Sequence, residues 1–318
     1  MKPTMTRLIR LAAGLLFASM LSAWPLSMTE GKGPADVVPP ASTASNQSTA
    51  ITSKQPAVPS DLQSPSLRDA ADRMIVQLSS QSGFEDWKNA SWTSYALGPG
   101  THGWVILISK NGREIGYLVL NAAGKDVYRL SEYGKGEYPL FSMQTLYRSL
   151  VRLELLDYSY LAERLYFDPL HAMWHVTVEG ADREWYLDAK TGEELPFSDS
   201  SKLPAFDPGG PSKKFTQTEA QHTIIASGQT EPFDPYVILN WVQGKPSPKP
   251  DYADVIRQLQ TNGKPVFALE LYGGTVLTPL PVDGYHEWSS GDRFLRIYQD
   301  DDRYLPFGLV RETGSYYP

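Results

Sequence analysis

The stretch from Trp174 to Pro196, WHVTVEGADREWYLDAKTGEELP, decides the architecture predicted for this chain. Val176 and Val178 alternate with polar residues, which is the period-two pattern of a strand with one buried face. Residues 180–187 contain a turn and then resume an extended pattern. Gly192 supplies the positive φ that a closing turn requires. The stretch is therefore predicted to form a β-hairpin that ends in a tight turn.

Composition limits the class of protein. The chain has 318 residues, enough for two or three domains, with 41% hydrophobic and 20% charged residues. The formal net charge is -7, and an acidic body argues against nucleic acid as a partner because the phosphates would repel it. The sequence has no cysteine, which excludes disulfides, thiolate catalysis and zinc–cysteine sites.

The N-terminus has the pattern of a targeting segment. Within residues 1–28, Lys2, Arg7 and Arg10 precede an uncharged and largely apolar stretch. This pattern is typical of a secretory signal peptide, and the length is also at the lower edge of a membrane-spanning anchor. Residues 29–64, rich in Pro, Ser, Thr, Ala and Gln, are predicted to be a disordered linker. The protein is thus expected to be secreted or anchored on the outer side of a membrane.

Residues 65–140 are predicted to form a first unit of one helix followed by strands. Ser66 is a candidate helix cap, and Gly83 a candidate stop. The apolar residues that share one helical face are Leu67, Ala70, Ala71, Met74, Ile75 and Leu78. Asn111-Gly112 predicts a hairpin turn. The predicted strands are 91–97, 104–109, 114–121 and 126–132.

Residues 141–197 are predicted to repeat this plan. Ser142 begins a second helix, and a strand at 164–168 precedes the hairpin described above. The apolar residues assigned to the buried face of this helix are Leu146, Leu150, Val151 and Leu153. Tyr117-Leu118 and Tyr186-Leu187 occupy matching places in the two return strands. The two segments are therefore predicted to be a divergent tandem repeat of about 70 residues.

The hairpin and its closing turn carry a short signature. Its residues are Trp174, Val176, Tyr186-Leu187-Asp188-Ala189 and Thr191-Gly192-Glu193. A helix and three antiparallel strands that close on this signature resemble the PepSY domain, although one residue rather than two separates Tyr186 from Asp188. The resemblance covers Ser142–Pro196, and Ser66–Asn121 is a looser first copy. It implies an exported bacterial module without catalytic activity, of the kind found in peptidase pro-regions and cell-envelope proteins, where it inhibits peptidases or regulates the local environment.

The C-terminal part is predicted to be a linker or long loop at 198–235 and a small α+β domain at 236–318. A short helix is expected at 236–242. Asp251 is expected to cap a longer helix that ends at Gly263. The residues assigned to its apolar face are Val255, Ile256 and Leu259. The predicted strands are 264–271, 276–285 and 294–299.

Part of this domain is similar to the C-terminal half of papain-like cysteine peptidases. The similarity lies in a helix followed by Asn262 to Val266, then Gly284-Tyr285, then Arg296 to Tyr298. In that family a catalytic His starts the strand that leads to Gly-Tyr. Here the corresponding residues, Thr275 to Thr278, include no His, and the chain has no Cys. The resemblance therefore implies a pseudo-peptidase in which the catalytic chemistry is lost.

Two patterns resemble ligand sites and are assigned structural roles. Gly98 to Gly103 spells G-x-G-x-x-G, but a strand at 104–108 follows where a dinucleotide site needs a helix. The segment is therefore predicted to be a loop. His171 and His175 would share a face on a helix and could then bind a metal. On the predicted strand they lie about 13 Å apart, too far to bind one ion.

The remaining polar groups are also assigned no site. Asp300 to Asp302 is predicted to be a solvated charged turn, with weak calcium binding as the alternative. His286 with Asp283 or Asp292 offers a partial catalytic dyad, and a polar loop is the favoured interpretation. Three carboxylates are not singled out by their spacing: Glu132, Glu137 and Asp188. Four aromatic residues are predicted to anchor the core: Trp104, Trp174, Tyr117 and Tyr186.

The sequence thus predicts an α+β protein with tandem helix-plus-antiparallel-sheet modules and a small C-terminal α+β domain. It assigns no catalytic, cofactor-binding or metal-binding residue, and no cofactor. The predicted function is non-enzymatic binding of a protein or peptide at the bacterial cell surface, by strand addition to an open sheet edge. Membrane contact is expected only through an uncleaved N-terminal segment. The alternatives are the pseudo-peptidase and a hydrolase that uses His286 and an acid.

Overall fold

The computed structural model describes residues 64–100, 103–205 and 223–318. The predicted targeting segment and the linker up to residue 63 lie outside the described residues, as does 206–222. The helices are α1 (Pro65–Leu78), α2 (Met143–Arg152), α3 (Pro235–Ile238), α4 (Asn240–Gln243), α5 (Tyr252–Gln260) and α6 (Phe307–Thr313). None of these helices is both long and apolar enough to cross a bilayer.

The first seven strands are β1 (Ser91–Leu97), β2 (Gly103–Lys110), β3 (Arg113–Gly124), β4 (Val127–Lys135), β5 (Tyr160–Asp168), β6 (His171–Val178) and β7 (Glu184–Asp188). The later strands are β8 (Ile224–Gln229), β9 (Val266–Leu271), β10 (Val276–Trp288), β11 (Arg293–Gln299), β12 (Asp301–Pro306) and β13 (Gly314–Tyr317). Short 3-10 turns occur at Glu85–Trp87 and Ser200–Lys202.

Two antiparallel sheets organise these elements. The larger sheet has the strand order β1-β2-β3-β4-β12-β11-β10-β9-β13, and β8 joins it as a tenth strand by pairing with β10. The smaller sheet has the order β5-β6-β7. Because neighbouring strands are antiparallel and the helices do not alternate regularly with them, the protein belongs to the α+β class, as predicted.

The first predicted unit forms most of its elements as expected. All six apolar residues assigned to the inner face of α1 are buried. The helix cap is Ser64 rather than Ser66, because Ser64 Oγ accepts the N–H of Leu67 at 3.2 Å and Pro65 occupies the first helical position. The helix ends at Leu78, before the predicted stop at Gly83.

The hairpin between β2 and β3 confirms the turn prediction. Asn111 and Gly112 have φ values of 53° and 76°, the positive values that a two-residue hairpin turn requires. β1 has the predicted limits, and β2, β3 and β4 extend the predicted strands by a few residues. The first unit therefore contributes four consecutive strands to the larger sheet.

The second unit is a helix and a three-stranded sheet. Ser142 caps α2 by accepting the N–H of Gln144 at 3.2 Å. Leu146 and Leu150 belong to one buried cluster with side chains of β5, β6 and β7. The prediction that Val151 is buried was wrong, since this side chain is 49% exposed. One residue turns a helix by about 100°, which directs the side chain after Leu150 toward solvent.

The opposite face of the smaller sheet packs against the C-terminal elements. Met173 and Tyr186 share a buried cluster with Val255 of α5 and with Leu280 and Leu295 of the larger sheet. Because adjacent residues of a strand face opposite sides, the smaller sheet joins two apolar clusters. The predicted hairpin therefore lies in the interior of the described structure.

The C-terminal region departs most from the prediction. The predicted loop at 198–235 contains β8, and the predicted short helix at 236–242 is two helical turns broken at Leu239, which has φ 53°. α5 begins at the predicted cap Asp251, which forms a capping box with Asp254. The helix ends at Gln260, before Gly263. β12, α6 and β13 were not predicted.

One pairing joins the N-terminal and C-terminal strands. β4 pairs with β12 in a register that places Tyr133 opposite Tyr304. The predicted limits at 140 and 235 therefore do not coincide with the limits of a sheet. Hydrophobic periodicity indicates that a segment is a strand, but it carries no information on which distant strand becomes its neighbour.

A buried ion pair lies at this junction. Arg303 Nε donates to Glu132 Oε2 at 2.8 Å, and Tyr117 Oη donates to the same oxygen at 2.9 Å. Arg303 also donates to the carbonyl oxygen of Pro169, in the turn between β5 and β6. The pair therefore connects the larger sheet to the smaller one.

We expect Arg303→Met to lower the free energy of unfolding by about 3–5 kcal/mol, because it leaves the buried Glu132 carboxylate without its cation. The double variant Arg303→Met/Glu132→Gln should regain more than about half of this loss, since no uncompensated charge remains. Urea unfolding measures both values. The control is Arg257→Met, at an exposed position of α5, for which a loss below about 1 kcal/mol is expected. Equal losses for Arg303→Met and Arg257→Met would contradict the assignment.

Candidate functional site

His286 lies in the interior of the larger sheet rather than in a polar loop. Its ring stacks on Tyr304, with centroids 4.3 Å apart, and faces Tyr133 on β4. His286 Nδ1 and Tyr133 Oη are 2.8 Å apart. Burial lowers the pKa of His286 to about 3, so the ring is neutral at physiological pH. A catalytic base must reach its substrate, and this buried imidazole is enclosed by aromatic rings.

The two acids considered for a dyad with His286 have other partners. Arg296 Nη1 lies 3.0 Å from Asp283 Oδ1, whereas Asp292 accepts the hydroxyl of Ser290 at 2.6 Å. The ring nitrogen that an acid would orient is bonded to a phenol instead. The structure therefore does not assemble the dyad, and the hydrolase interpretation has no geometric support.

Asp283 is the most perturbed carboxylic acid at this site. It is almost fully buried, and its contact with Arg296 lacks hydrogen-bond geometry. Arg296 Nη2 instead donates to Asp302 Oδ1 at 2.6 Å, and Lys135 Nζ lies 3.2 Å from Asp302 Oδ2. Burial therefore dominates and raises the pKa of Asp283 to about 7.

The prediction for Asp300 to Asp302 was wrong for the last two residues. Asp302 is buried on β12 and pairs with Arg296 and Lys135. Asp301 accepts the backbone N–H of Tyr138 at 2.8 Å and lies 3.2 Å from Lys190 Nζ. Asp300 occupies the tight turn between β11 and β12 with φ 61°. Asp301 and Asp302 already have protein cations as partners, which leaves no consecutive set of oxygens for calcium.

The two histidines of β6 are held by carboxylates. His171 Nδ1 lies 3.0 Å from Asp168. His175 lies between Glu163 at 3.1 Å and Glu184 at 2.9 Å, with its ring stacked on Tyr186. Both ring nitrogens of His175 are therefore engaged. Within the described ranges no group of three or more His, Asp or Glu residues has the geometry to hold a metal ion.

The other candidate residues are separated and play structural roles. Glu132 is ion-paired, as described above, and Glu137 is exposed. Asp188 accepts the backbone N–H groups of Lys190 and Thr191 and thereby closes the turn after β7. Trp174, Tyr117 and Tyr186 are fully buried core residues, and Trp104 is partly buried against the first core. The prediction that these aromatic residues anchor the core is confirmed for Trp174, Tyr117 and Tyr186, whereas Trp104 lies at the margin of the cluster that contains α1.

The G-x-G-x-x-G segment is a connection between β1 and β2, and a strand follows it, as predicted. Thr101 and His102 lie outside the described residues. The backbone N–H of Gly98 donates to the carbonyl oxygen of Arg164 at 2.8 Å, and the carbonyl oxygen of Gly98 accepts the N–H of Tyr166 at 2.6 Å. This loop therefore attaches the end of β1 to the edge of β5.

The space expected for a peptidase-like cleft is filled. Val255 and Leu259 of α5 belong to the same buried cluster as Leu280 and Val282 of β10. Thr275 lies in the turn before β10 and donates its hydroxyl to the carbonyl of Tyr272. This packing does not favour the pseudo-peptidase interpretation.

The outer edge of β8 differs from these buried groups. β8 pairs with the second half of β10, in a register from Gly284 opposite Gln229 to Trp288 opposite Ile224. Within the residues that the structure describes, no strand pairs with the other side of β8. The strand has no charged residue or proline, and Ile225 is 64% exposed. The strand therefore lacks two of the features that usually prevent pairing with another chain, charge and proline, although it is only six residues long and its register with β10 shifts at Ile225.

No protein-family model, curated protein or solved structure matches this chain. Its chemistry must therefore be inferred from its own geometry. His286 and Asp283 are buried and Glu132 is ion-paired, whereas the outer side of β8 has no strand partner among the described residues.

Asp283 predicts a specific dependence of stability on pH. Between about pH 4 and pH 7 the folded protein holds a proton on Asp283 that the unfolded chain releases, so this contribution to stability falls as pH rises. As the pH rises through this window, the unfolding free energy of the wild type should fall relative to that of Asp283→Asn by up to about 1.4 kcal/mol per pH unit. Urea unfolding at pH 5 and pH 7 tests the difference.

The control for this measurement is Asp86→Asn, because Asp86 is exposed in a surface ion pair with Lys110. Its unfolding free energy should run parallel to that of the wild type. A difference between wild type and Asp283→Asn that stays constant from pH 5 to pH 7 would refute the assigned proton.

Proposed function

We propose that this chain is an exported, non-enzymatic binding protein of the bacterial cell envelope, and that it binds an extended protein or peptide segment as an added strand on the outer edge of β8. The unpaired and uncharged edge of β8 carries this proposal. The N-terminal pattern at 1–28 supports export, and the PepSY-like signature at Trp174–Glu193 supports a regulatory rather than a catalytic role.

The register of β8 identifies the backbone groups that a partner strand would meet. The N–H of Thr230 donates to the carbonyl of Asp283, on the β10 side. Because backbone groups of a strand point alternately to its two neighbours, Gly228 also faces β10. Ser227 and Gln229 therefore direct their N–H and C=O groups away from β10. An added strand would form its main-chain hydrogen bonds with these two residues.

The side chains along β8 supply contacts for such a strand. Ile225, Ser227 and Gln229 are exposed, and the intervening residues are partly buried. Ile225 would pack against a cross-strand apolar side chain, the pairing that stabilises neighbouring strands. A partner with an apolar residue opposite Ile225 and small or polar residues beside it fits this edge.

Three other sheet edges are covered at single positions by the chain itself, whereas the outer side of the edge strand β1 has no strand partner among the described residues. The edge of β7 is covered near Leu187 by a bridge to Glu194, and β13 is covered near Tyr316 by a bridge to Ser247. The edge of β5 is occupied at Leu165 by the bridge from Gly98. This shielding favours β8 over those three edges as the docking edge, since covered edges are the usual protection against unwanted pairing.

The proposal predicts that Ser227→Pro abolishes peptide binding while Ser227→Ala does not. Proline removes the outward N–H of residue 227 and leaves the hydrogen bonds to β10 in place, because proline is tolerated on the solvent side of an edge strand. Peptides selected by panning a random display library against the full chain would be synthesised. Their affinities for wild type and both variants would then be measured by fluorescence anisotropy.

We expect Ser227→Pro to weaken the selected peptides by at least about tenfold, the effect of about 1.4 kcal/mol. Circular dichroism and thermal unfolding of both variants confirm that the fold is retained. If the selected peptides bind wild type and Ser227→Pro with equal affinity, recognition occurs at a site other than the edge of β8. A selection that enriches no peptide would overturn the proposed function.

A further inference from the structure

The outer face of α2 carries a row of exposed apolar side chains, of which only Met143 has a recorded contact with another element in the described residues, through its sulfur and Arg164 of β5. Met143, Tyr147 and Val151 are 43%, 58% and 49% exposed. They are spaced at i, i+4 and i+8, so they follow one another along the same side of the helix. The inner face of α2 is already buried by Leu146 and Leu150. The exposed row is therefore additional to the face that holds the helix in the fold.

A second row on the same helix is basic. Arg148 lies over the ring of Tyr138 at 4.3 Å, and Arg152 donates to the carbonyl of Gly192 at 2.6 Å. Neither guanidinium pairs with a carboxylate in the part of the chain that the structure describes. α2 contains no acidic residue, although the whole chain has a net charge of -7. This face therefore combines apolar side chains with two cations that are not neutralised.

We propose that this face of α2 binds the surface of an anionic lipid bilayer. Apolar and aromatic side chains beside arginines are the combination that positions a helix at the boundary between headgroups and acyl chains. Tyr147 has an apolar ring and a polar hydroxyl, which suits that boundary. Each arginine attracts anionic headgroups. This electrostatic attraction acts over a short range and is screened by salt.

The size of the face favours lipid over a folded protein partner. A specific protein interface buries about 800 Å² on each side, whereas this surface is one convex helix of ten residues with three exposed apolar side chains. A lipid surface needs no complementary groove. Few contacts suffice when a second attachment raises the local concentration of the helix at the bilayer.

The chain has a candidate for that second attachment. The apolar segment at 1–28 precedes residues 29–63, which reach at most about 120 Å when fully extended. A bilayer that holds the N-terminal segment therefore lies within reach of α2. Two weak attachments together give stable membrane binding where one does not. The proposal is independent of peptide binding at β8, since it uses different residues.

The test uses the absence of native cysteine. The full chain with Val151→Cys is labelled with an environment-sensitive fluorophore and mixed with vesicles of phosphatidylcholine alone or with about 30% phosphatidylglycerol. We expect at least about a threefold rise in emission with the anionic vesicles only, and its reversal at about 0.5 M salt. This readout reports bilayer contact at α2, and not attachment through the N-terminus.

Two further variants make the result decisive. The same label at Leu277→Cys, another exposed apolar position, should show no rise. Arg148→Gln in the Val151→Cys background should reduce the rise at least about twofold while the melting temperature stays unchanged. Absence of a rise at residue 151, or an equal rise with both vesicle types, would overturn the proposal. A rise that needs protein concentration but no vesicles would instead identify α2 as an interface between two copies.

Discussion

The pairing of β4 with β12 is the constraint on which the rest of the fold depends. It joins the N-terminal strands to the C-terminal strands and brings Glu132 next to Arg303. An isolated charge in this interior would be strongly unfavourable, so both residues must be placed together. Arg303 also donates to the carbonyl of Pro169, which extends the constraint to the smaller sheet. The relative placement of the two sheets therefore follows from one register.

The same junction explains why the catalytic-looking residues do not form an active site. Three residues near this junction have side chains of the types used in proton transfer or metal binding: His286, Asp283 and Asp302. In the fold, His286 lies between aromatic rings, and both acids lie next to Arg296. Burial lowers the pKa of His286 and raises the pKa of Asp283, in both cases the direction that avoids charge in the interior. Perturbed pKa values here reflect the structure of the core and not a reaction.

Local signals in the sequence were sufficient where local chemistry decides the structure. Asn111-Gly112 predicts a turn because both residues accept positive φ, and Ser142 and Asp251 predict helix starts because their side chains satisfy free N–H groups. Ser66 failed as a cap because Ser64, two residues earlier and next to Pro65, satisfies the same requirement. Such competition between neighbouring caps has no clear signature in the sequence.

Long-range pairing decided the elements that the sequence did not indicate. β12 begins with Asp301, Asp302 and Arg303, a pattern typical of a solvated turn, and it becomes a buried strand because Lys135, Arg296 and Glu132 neutralise it from neighbouring strands. β8 begins with three apolar residues in succession, Ile224, Ile225 and Ala226, and lies within the segment 198–235, which its Pro, Gly and Ser content predicts to be a loop. The strand forms by pairing with β10. Its lack of charged residues gives no signal for a strand in the sequence, and the same lack of charge leaves the proposed docking edge open to a partner.

That edge begins next to the buried ion cluster. β10 pairs with β9 over its first half and with β8 over its second half, and a bulge at Asp283 separates the two. The carbonyl of Asp283 accepts the N–H of Thr230 at the end of β8, and its side chain lies beside Arg296.

The residue after the bulge must also be small. A Cβ at Gly284 would lie 2.7 Å from the carbonyl oxygen of Gly228, so glycine is required for the close approach of β8 to β10. Asp283 therefore belongs at once to the charge cluster, through its side chain, and to the start of the β8 pairing, through its carbonyl oxygen.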